Sequence, residues 1–283
     1  MPFDLSQIGA KSKTYTHAYD WKQQATYALG IGAKRDELAY LYENHAGGMN
    51  VFPTYAVVPA FEPVLEMMSR AQANFAMVVH GAQKIRMKRA LPATATLETV
   101  ATLRGIYDLK KLSSLIVDTE TRIDGEVAFT TEWGILVRGE GNFGGERPPK
   151  DDEGHSAPSG QEPDWEFEEA TSPEQALLYR ISGDTNPLHA DPEFAAKVGF
   201  PQGPILHGLC TYGHVARAAT AKAAGGDATK LSAMGAQFRN PVWPGDTIVT
   251  RGYNLGGGKV ALQAFAKGRP DPVVTNAWAT FND

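Results

Sequence analysis

Three polar side chains that could carry out acid–base chemistry lie close together in the sequence. Asp184, Asn186 and His189 follow Gly183, which ends a predicted helix, within the stretch 179–192. Because Asn186 precedes a proline, its backbone is driven toward extended conformations, which predicts an ordered loop. A carboxylate and an imidazole on one loop can share a water, one removing a proton while the other supplies a proton to carbon. The alternative is that Asp184 and Asn186 only shape a turn and that His189 is a satisfied core histidine.

Capping signals on both sides predict how this loop is held. Ser172 can act as an N-cap, with Pro173 at the first helical position and Gln175 completing a capping box. Asp191 followed by Pro192 has the same character at the start of the next helix. The sequence therefore predicts a helix, a rigid loop and a second helix.

A second candidate element follows this loop. An apolar helix is predicted over 203–224, with a proline near its start. Its first amides lack partners inside the helix, and the N–H of Gly208 could donate to a thioester oxygen as negative charge develops there. The alternative is that Gly208 only permits close packing and that His207 bonds a nearby carbonyl. His207 and His214 could also share a helix face as metal ligands, but no third or fourth ligand has a suitable spacing.

Two antiparallel meanders make up most of the remaining chain. The first, over 97–139, alternates between apolar and polar residues and turns at Asp124-Gly125. The second, over 233–281, has turn signals at 244–246, 256–258 and 268–271. A short strand with a proline corner and an apolar, helix-compatible segment precede each meander. The pattern predicts a helix laid against an antiparallel sheet, twice, although two unrelated α+β halves would show similar signals.

Composition divides the chain and narrows its function. Residues 141–163 are rich in Gly, Pro, Asp, Glu and Ser and predict a linker between an N-terminal domain, 1–140, and a C-terminal domain, 164–283. A net charge of −5 argues against nucleic acid as a partner, and no run of about 20 apolar residues could span a membrane. With one cysteine, no apolar signal core and no peroxisomal address in the last three residues, we expect a cytoplasmic protein.

Two stretches resemble a known family. Tyr-Arg-Ile-Ser-Gly-Asp-Thr-Asn-Pro-Leu-His at 179–189 and Pro-Ile-Leu-His-Gly-Leu-Cys-Thr-Tyr-Gly at 204–213 closely resemble the hydratase 2 motif of MaoC-like (R)-specific 2-enoyl-CoA hydratases. The resemblance is strongest to the double-domain form and runs through nearly the whole chain. It implies an α+β double hot-dog fold, with two tandem domains that each wrap an antiparallel sheet around a long helix. Further matching stretches lie at 27–33, 41–43, 52–54, 79–83, 143–147 and 241–245.

The resemblance also implies roles for individual residues. Asp184 and His189 match the catalytic pair that activates water, Asn186 matches the residue that supports it, and Gly208 matches the oxyanion donor. The first half lacks such a loop, although its stretch 79–81 echoes 206–208, and its implied task is to accommodate the acyl chain. Supporting, substrate-binding positions are implied for Tyr27, Glu43, Tyr179, Arg180 and His207.

The implied activity is that of a hydro-lyase of fatty acid metabolism and β-oxidation. It would add water reversibly to a trans-2-enoyl-CoA and give the (3R)-3-hydroxyacyl-CoA, with coenzyme A as part of the substrate and without a metal or other cofactor. The charged loop 34–37 departs from the pattern of eukaryotic relatives and bears on chain-length preference. A homodimer is expected, consistent with apolar strands at the sheet edges. The rival hypotheses are a hot-dog acyl-CoA thioesterase and a non-catalytic acyl-CoA-binding protein.

Overall fold

A computed structural model describes residues 3–150, 153 and 155–282. Ten strands form one antiparallel sheet in the order β1-β3-β4-β5-β2-β7-β10-β9-β8-β6. The strands are β1 Tyr15–Tyr19, β2 Val78–Met87, β3 Ala95–Asp108, β4 Leu112–Ile123, β5 Glu126–Arg138, β6 Trp165–Ala170, β7 Leu231–Phe238, β8 Thr247–Gly256, β9 Lys259–Ala266 and β10 Pro272–Phe281.

Two long helices pack on this sheet, and three shorter helices complete the fold. The α-helices are α1 Trp21–Gly30, α2 Val57–Arg70, α3 Gln175–Tyr179, α4 Pro192–Lys197 and α5 Gly208–Ala223. Short 3-10 helices lie at Leu5–Gln7, Leu38–Tyr40, Pro53–Ala56, Phe75–Met77, Arg180–Ser182, Pro187–His189 and Ala228–Lys230.

The element order repeats. Each half begins with an edge strand and a helix, β1-α1 or β6-α3, continues to a long helix, α2 or α5, and ends with four strands. β2 and β7 pair antiparallel, from Ala82 opposite Gln237 to Arg86 opposite Ala233, and thereby join the halves into one sheet. The predicted arrangement of a helix against an antiparallel sheet, repeated in a double hot-dog fold, is confirmed.

Apolar periodicity explains why the two long helices lie against the sheet. On α2 the residues Val57, Ala60, Val64 and Met67 recur at helical spacing and are at most 1% exposed. On α5 every residue from 209 to 220 is buried, as expected for a helix enclosed on all sides. Each fully buried Val or Met contributes about 1.5–3 kcal/mol relative to exposure. One apolar cluster includes residues of both halves.

The second long helix begins later than predicted. It starts at Gly208 and not near residue 203, because Gly203 has a positive φ of 118° and Leu206 donates its N–H to Val242 O at 2.7 Å. Residues 204–207 therefore form an extended approach to the helix. The stretch 79–81, which echoes 206–208 in sequence, lies within strand β2 and not at the start of a helix.

Helix α3 also differs from its predicted start. It begins at Gln175 with Glu174 as N-cap, and only half of the predicted capping box forms, with Ser172 N–H donating to Gln175 Oε1 at 3.3 Å. Asp191 caps α4 as predicted, accepting from Glu193 N and Phe194 N.

The sheet edges differ from the expected apolar strands. β1 and β6 are the edges, each is short, and β6 carries Glu166 and Glu168. Such an edge resists pairing with another strand.

The division into two domains stays a prediction. β5 ends at Arg138 and β6 begins at Trp165, and the described residues between them form no helix or strand. Among the described residues, none of the helices is long and apolar enough to cross a membrane.

Candidate active site

Local hydrogen bonds fix the loop that carries the predicted acid–base residues. Helix α3 continues into the 3-10 helix Arg180–Ser182, and Gly183 ends it at φ 139°, a conformation that favours glycine. Asp184 Oδ1 then accepts from Asn186 N at 3.1 Å, and Asn186 Oδ1 accepts from Leu188 N at 3.0 Å. Asn186 thus caps the turn that leads to His189, and its observed role is to shape the loop.

His189 is held in a defined orientation. Its side chain is buried, and Nδ1 lies 2.8 Å from the carbonyl oxygen of Ile205. Because a carbonyl can only accept, Nδ1 carries the hydrogen in this contact, and the lone pair of the neutral ring lies on Nε2. Burial lowers the pKa of His189, although the nearby Asp184 carboxylate opposes this shift. At neutral pH the ring is therefore a neutral acceptor.

A second histidine connects the two predicted catalytic residues. His207 Nε2 donates to the backbone oxygen of Asp184 at 3.1 Å, and its ring stacks on His189 with centroids 3.7 Å apart. The ring of Tyr179 lies on its other side at 4.9 Å. Burial lowers the pKa of His207 to about 2, and the His189 charge acts in the same direction. His207 therefore stays neutral while it contacts both Asp184 and His189.

The three groups are close enough to raise the question of a metal ion. One ligand-type atom each from Asp184, His189 and His207 lie within 4.8 Å of one another. Two of the four ring nitrogens, His189 Nδ1 and His207 Nε2, already donate to backbone carbonyls and so have no lone pair for a metal ion. The other pair considered from the sequence is separated, since His214 bonds Glu169 in a different cluster.

The start of helix α5 lies beside this cluster. Gly208 is its first residue, so its N–H has no partner within the helix. A Cβ at this position would meet the Phe238 ring at 3.5 Å, an ordinary van der Waals contact. A small cleft of about 10 Å³ opens next to Asp184 and Leu209, close to the room that one water needs. Its other lining residues are Val57, Val58, Phe61, Tyr179, Ser182 and Gly183.

The remaining predicted substrate-binding residues differ in their placement. Tyr27 is fully buried and packs edge-on to Tyr55, with the ring of Tyr179 6.1 Å away. Arg180 is half-buried at the start of the 3-10 helix before Asp184. Glu43 is exposed and accepts from Asn44 at 3.1 Å, and in the described residues no hydrogen bond or ion pair joins it to the Asp184 cluster. The structure thus brings Tyr179 and Arg180 to the site, places Tyr27 behind Tyr179, and leaves Glu43 apart.

A buried ion cluster escaped the sequence analysis. Glu169 on β6 accepts from His214 Nδ1 at 2.7 Å and from Arg217 Nη1 at 2.6 Å, and Arg217 also pairs with Glu37 of the first half. Lys34 lies 3.7 Å from Glu169. The sequence signal for this cluster is Arg217, three residues after His214 on a largely apolar helix, because a buried arginine needs a charged partner.

Known protein families and individual relatives match most of the chain. Residues 17–139 match the MFE-2 hydratase 2 N-terminal domain, and residues 155–269 match the MaoC like domain. A 3-hydroxyacyl-thioester dehydratase Y from Mycobacterium tuberculosis is 38% identical over 260 residues, covering 88% of this chain and 87% of the relative. A peroxisomal enoyl-CoA hydratase 2 from Arabidopsis thaliana is 34% identical over 276 residues, covering 91% and 89%.

Solved structures extend the similarity to the whole fold. The crystal structure of a MaoC-like dehydratase from Phytophthora capsici superposes with a TM-score of 0.89 at 32% identity, covering 99% of this chain and 98% of that one. A Mycobacterium tuberculosis protein described as a double hotdog fold superposes with a TM-score of 0.58 at 12% identity, covering 96% of this chain and 95% of that one, which bears on the fold alone.

Proposed function

The chain belongs to the MaoC-like, hydratase 2 family, and we propose that it is a hydro-lyase that adds water to trans-2-enoyl-CoA and gives the (3R)-3-hydroxyacyl-CoA. The observation that carries this proposal is the placement of Asp184 beside the neutral ring of His189, next to the first N–H of α5. Acid–base groups and an oxyanion donor then lie within reach of one small ligand.

The reaction follows from these positions. The thioester oxygen accepts from the Gly208 N–H, which draws electrons toward the carbonyl and leaves the β-carbon electrophilic. A water held between Asp184 and His189 loses a proton to one of them as its oxygen bonds to the β-carbon. The Asp184–His189 pair passes that proton on to the α-carbon, so the double bond is replaced by one C–O and one C–H bond and both side chains return to their starting protonation state. The reverse dehydration uses the same groups with their protonation roles exchanged.

The stereochemical proposal rests on the shared loop. Asp184 and His189 lie close together on one loop, and in the proposal they act from one side of the substrate, so the oxygen and the proton add to one face of the double bond. Asn186 supports the loop through its bond to Leu188 N, at 3.0 Å. Tyr179 and Arg180 remain proposed substrate-site residues because they flank Asp184 in the structure.

The remaining parts of the proposal concern the first half and the assembly. Val57, Val58 and Phe61 of α2 present apolar surface beside Asp184, and in the proposal the acyl chain lies against this surface. We retain a cytoplasmic homodimer as a proposal. Because β2 and β7 already continue the sheet within one chain and the edge strands are short, such a dimer would associate through a face and not through a sheet edge. Light scattering of the purified protein determines its mass in solution.

The first experiment follows the loss of enone absorbance when purified protein is mixed with crotonyl-CoA and with longer trans-2-enoyl-CoAs, with chiral analysis of the product. Conversion to the (3R)-alcohol without release of free thiol is the expected result. Release of thiol would instead identify a thioesterase. Binding of all the acyl-CoAs without any turnover would identify a non-catalytic protein.

A further inference from the structure

We propose that the carbonyl oxygen of Gly30, in the first half, fixes the relative position of the two catalytic elements of the second half. The inference rests on the proposed function, because it concerns how Asp184 and Gly208 are held for hydration. It assigns a positioning role to Gln175 and Cys210, whose side chains meet at that oxygen.

Two donors from different elements converge on this single carbonyl. Gln175 Nε2, at the start of α3, donates to Gly30 O at 2.6 Å, and Cys210 Sγ, in the first turn of α5, donates to it at 3.2 Å. Gln175 Nε2 also lies 3.1 Å from Leu29 O. Helix α3 leads through one 3-10 turn to Asp184, and Cys210 lies two residues after Gly208. One oxygen of the first half therefore bonds both the element that carries the carboxylate and the element that carries the oxyanion donor.

The chemistry of a helix end explains why Gly30 offers this oxygen. The last carbonyls of a helix have no partner within it, and a buried carbonyl without a donor is costly. Helix α1 ends at Gly30. Leu29 O accepts from Gly32 N in its own segment as well as from Gln175, whereas Gly30 O accepts from Gln175 and Cys210 of the other half. Arg217 Nη1 approaches the next carbonyl, that of Ile31, at 3.3 Å. The end of α1 is thus capped by side chains of the catalytic half.

Close packing leaves this contact little freedom. A Cβ at Gly30 would lie 3.2 Å from Tyr179 Cα, which limits α1 and α3 to one separation. A Cβ at Gly213 would lie 2.3 Å from Ile31 Cγ2, so the Ile31 side chain packs directly against the backbone of α5. The end of α1 and the residue after it therefore lie between α3 and α5. The hydrogen bonds to Gly30 O join elements that are already in close contact.

The expected consequence of losing a donor is a shift of α3 relative to α5. A displacement of about 1 Å between catalytic groups can lower a rate by about 10²-fold. The loss should appear in kcat with little change in KM, because neither Gln175 nor Cys210 contacts the proposed substrate.

The test combines four variants with steady-state kinetics and thermal unfolding. Gln175→Met keeps the side-chain length but removes the amide N–H donors. Cys210→Ala removes the thiol donor. We expect kcat to fall about 10–100-fold in the first and about 3–10-fold in the second, with KM within about twofold of wild type. Cys210→Ser keeps a donor and should recover most of the activity. In the double variant Gln175→Met/Cys210→Ala the losses should combine less than multiplicatively, because both bonds share one acceptor.

A control separates positioning from general stability. Val117→Ala removes apolar contacts from a fully buried position on β4 in the first half and should lower Tm while kcat stays near wild type. The inference is overturned if Gln175→Met keeps its kcat while Tm falls as in Val117→Ala, or if the loss appears in KM alone. Absence of hydration by the wild-type protein would reject the proposed function itself, which is a distinct outcome.

Discussion

The two halves of the molecule follow the same folding plan but place different side chains at equivalent points. After its edge strand and first helix, the second half continues into Gly183 and Asp184, whereas the first half continues into Ile31 and Gly32. The second-half loop places a carboxylate and an imidazole close together, with Asp184 lining the cleft, while the first-half segment packs on α5. In this account the two copies of the repeated fold have different tasks. One copy supplies the reactive groups, and the other supplies the surface that holds them in place.

The largest expected effect comes from comparing the same substitution at one histidine of each half. His189→Gln removes the neutral acceptor beside Asp184, and we expect kcat to fall about 10²–10⁴-fold, the usual contribution of a general acid or base. His17→Gln is the matched change in the first half, where His17 Nε2 only contacts Tyr55 Oη at 2.8 Å. Steady-state hydration kinetics should show this second variant near wild type. Equal losses in the two variants would remove the distinction between the halves.

The next effect concerns the ion cluster that joins the halves. Burial alone would raise the pKa of Glu169, but the His214 hydrogen bond and the Arg217 charge overcome it and lower the pKa to about 2, from 4.5. The unfolded carboxyl binds more protons between these values, so this stability is complete above pH 4.5 and is lost as the pH falls toward 2. Glu169→Gln should therefore lower the free energy of unfolding at pH 7 by about 3 kcal/mol.

Urea unfolding as a function of pH measures this effect. The wild-type advantage over Glu169→Gln should be constant between pH 6 and 7 and shrink below pH 4.5. An advantage that does not depend on pH would show that the carboxylate charge is not what stabilises the cluster.

A smaller effect distinguishes the two His-Gly pairs. His207 Nε2 donates to the Asp184 carbonyl, whereas His80 Nε2 contacts Ala82 O within its own strand. His207→Phe keeps the stacked ring but leaves that carbonyl without its donor, so we expect kcat to fall about tenfold. His207→Gln restores a donor and should lie between Phe and wild type. His80→Phe serves as the control, and a comparable loss there would show that the effect is not specific to the bond with the Asp184 carbonyl.

The smallest effect lies at the rim of the ion cluster. The side chain of Lys34 is 52% exposed and lies 3.7 Å from Glu169. An ion pair with such access to solvent contributes about 0–1 kcal/mol, so Lys34→Ala should change Tm only slightly. A loss as large as that of Glu169→Gln, measured in the same thermal scans, would contradict the assignment of the stability to buried partners.

Local patterns were enough to predict the sheet and the loop that carries Asp184 and His189. The turn at Asp124-Gly125 joins β4 and β5, and both of its residues have positive φ, at 53° and 81°. Asp191 caps α4, and Gly183 ends the helix before Asp184. Each of these features depends on residues within a few positions of one another. The local sequence pattern is therefore enough to predict them.

Long-range contacts account for what the sequence did not predict. Helix α5 starts at Gly208 because Leu206 pairs with Val242, 36 residues away. Gln175 was interpreted as part of a capping box, but its amide donates to Gly30 O in the other half. Nothing in the local sequence of 175 or 30 indicates that partner, because the contact depends on how α1 and α3 cross.

The measurement that tests the central claim most directly is the kcat of Asp184→Asn for enoyl-CoA hydration. Asparagine keeps a side-chain oxygen that can accept from Asn186 N, so the loop should keep its shape while the carboxylate is lost. The account predicts a fall of about 10²–10⁴-fold in kcat with KM and Tm near their wild-type values. Retention of wild-type kcat by this folded variant would show that Asp184 does not activate the water and would contradict the account.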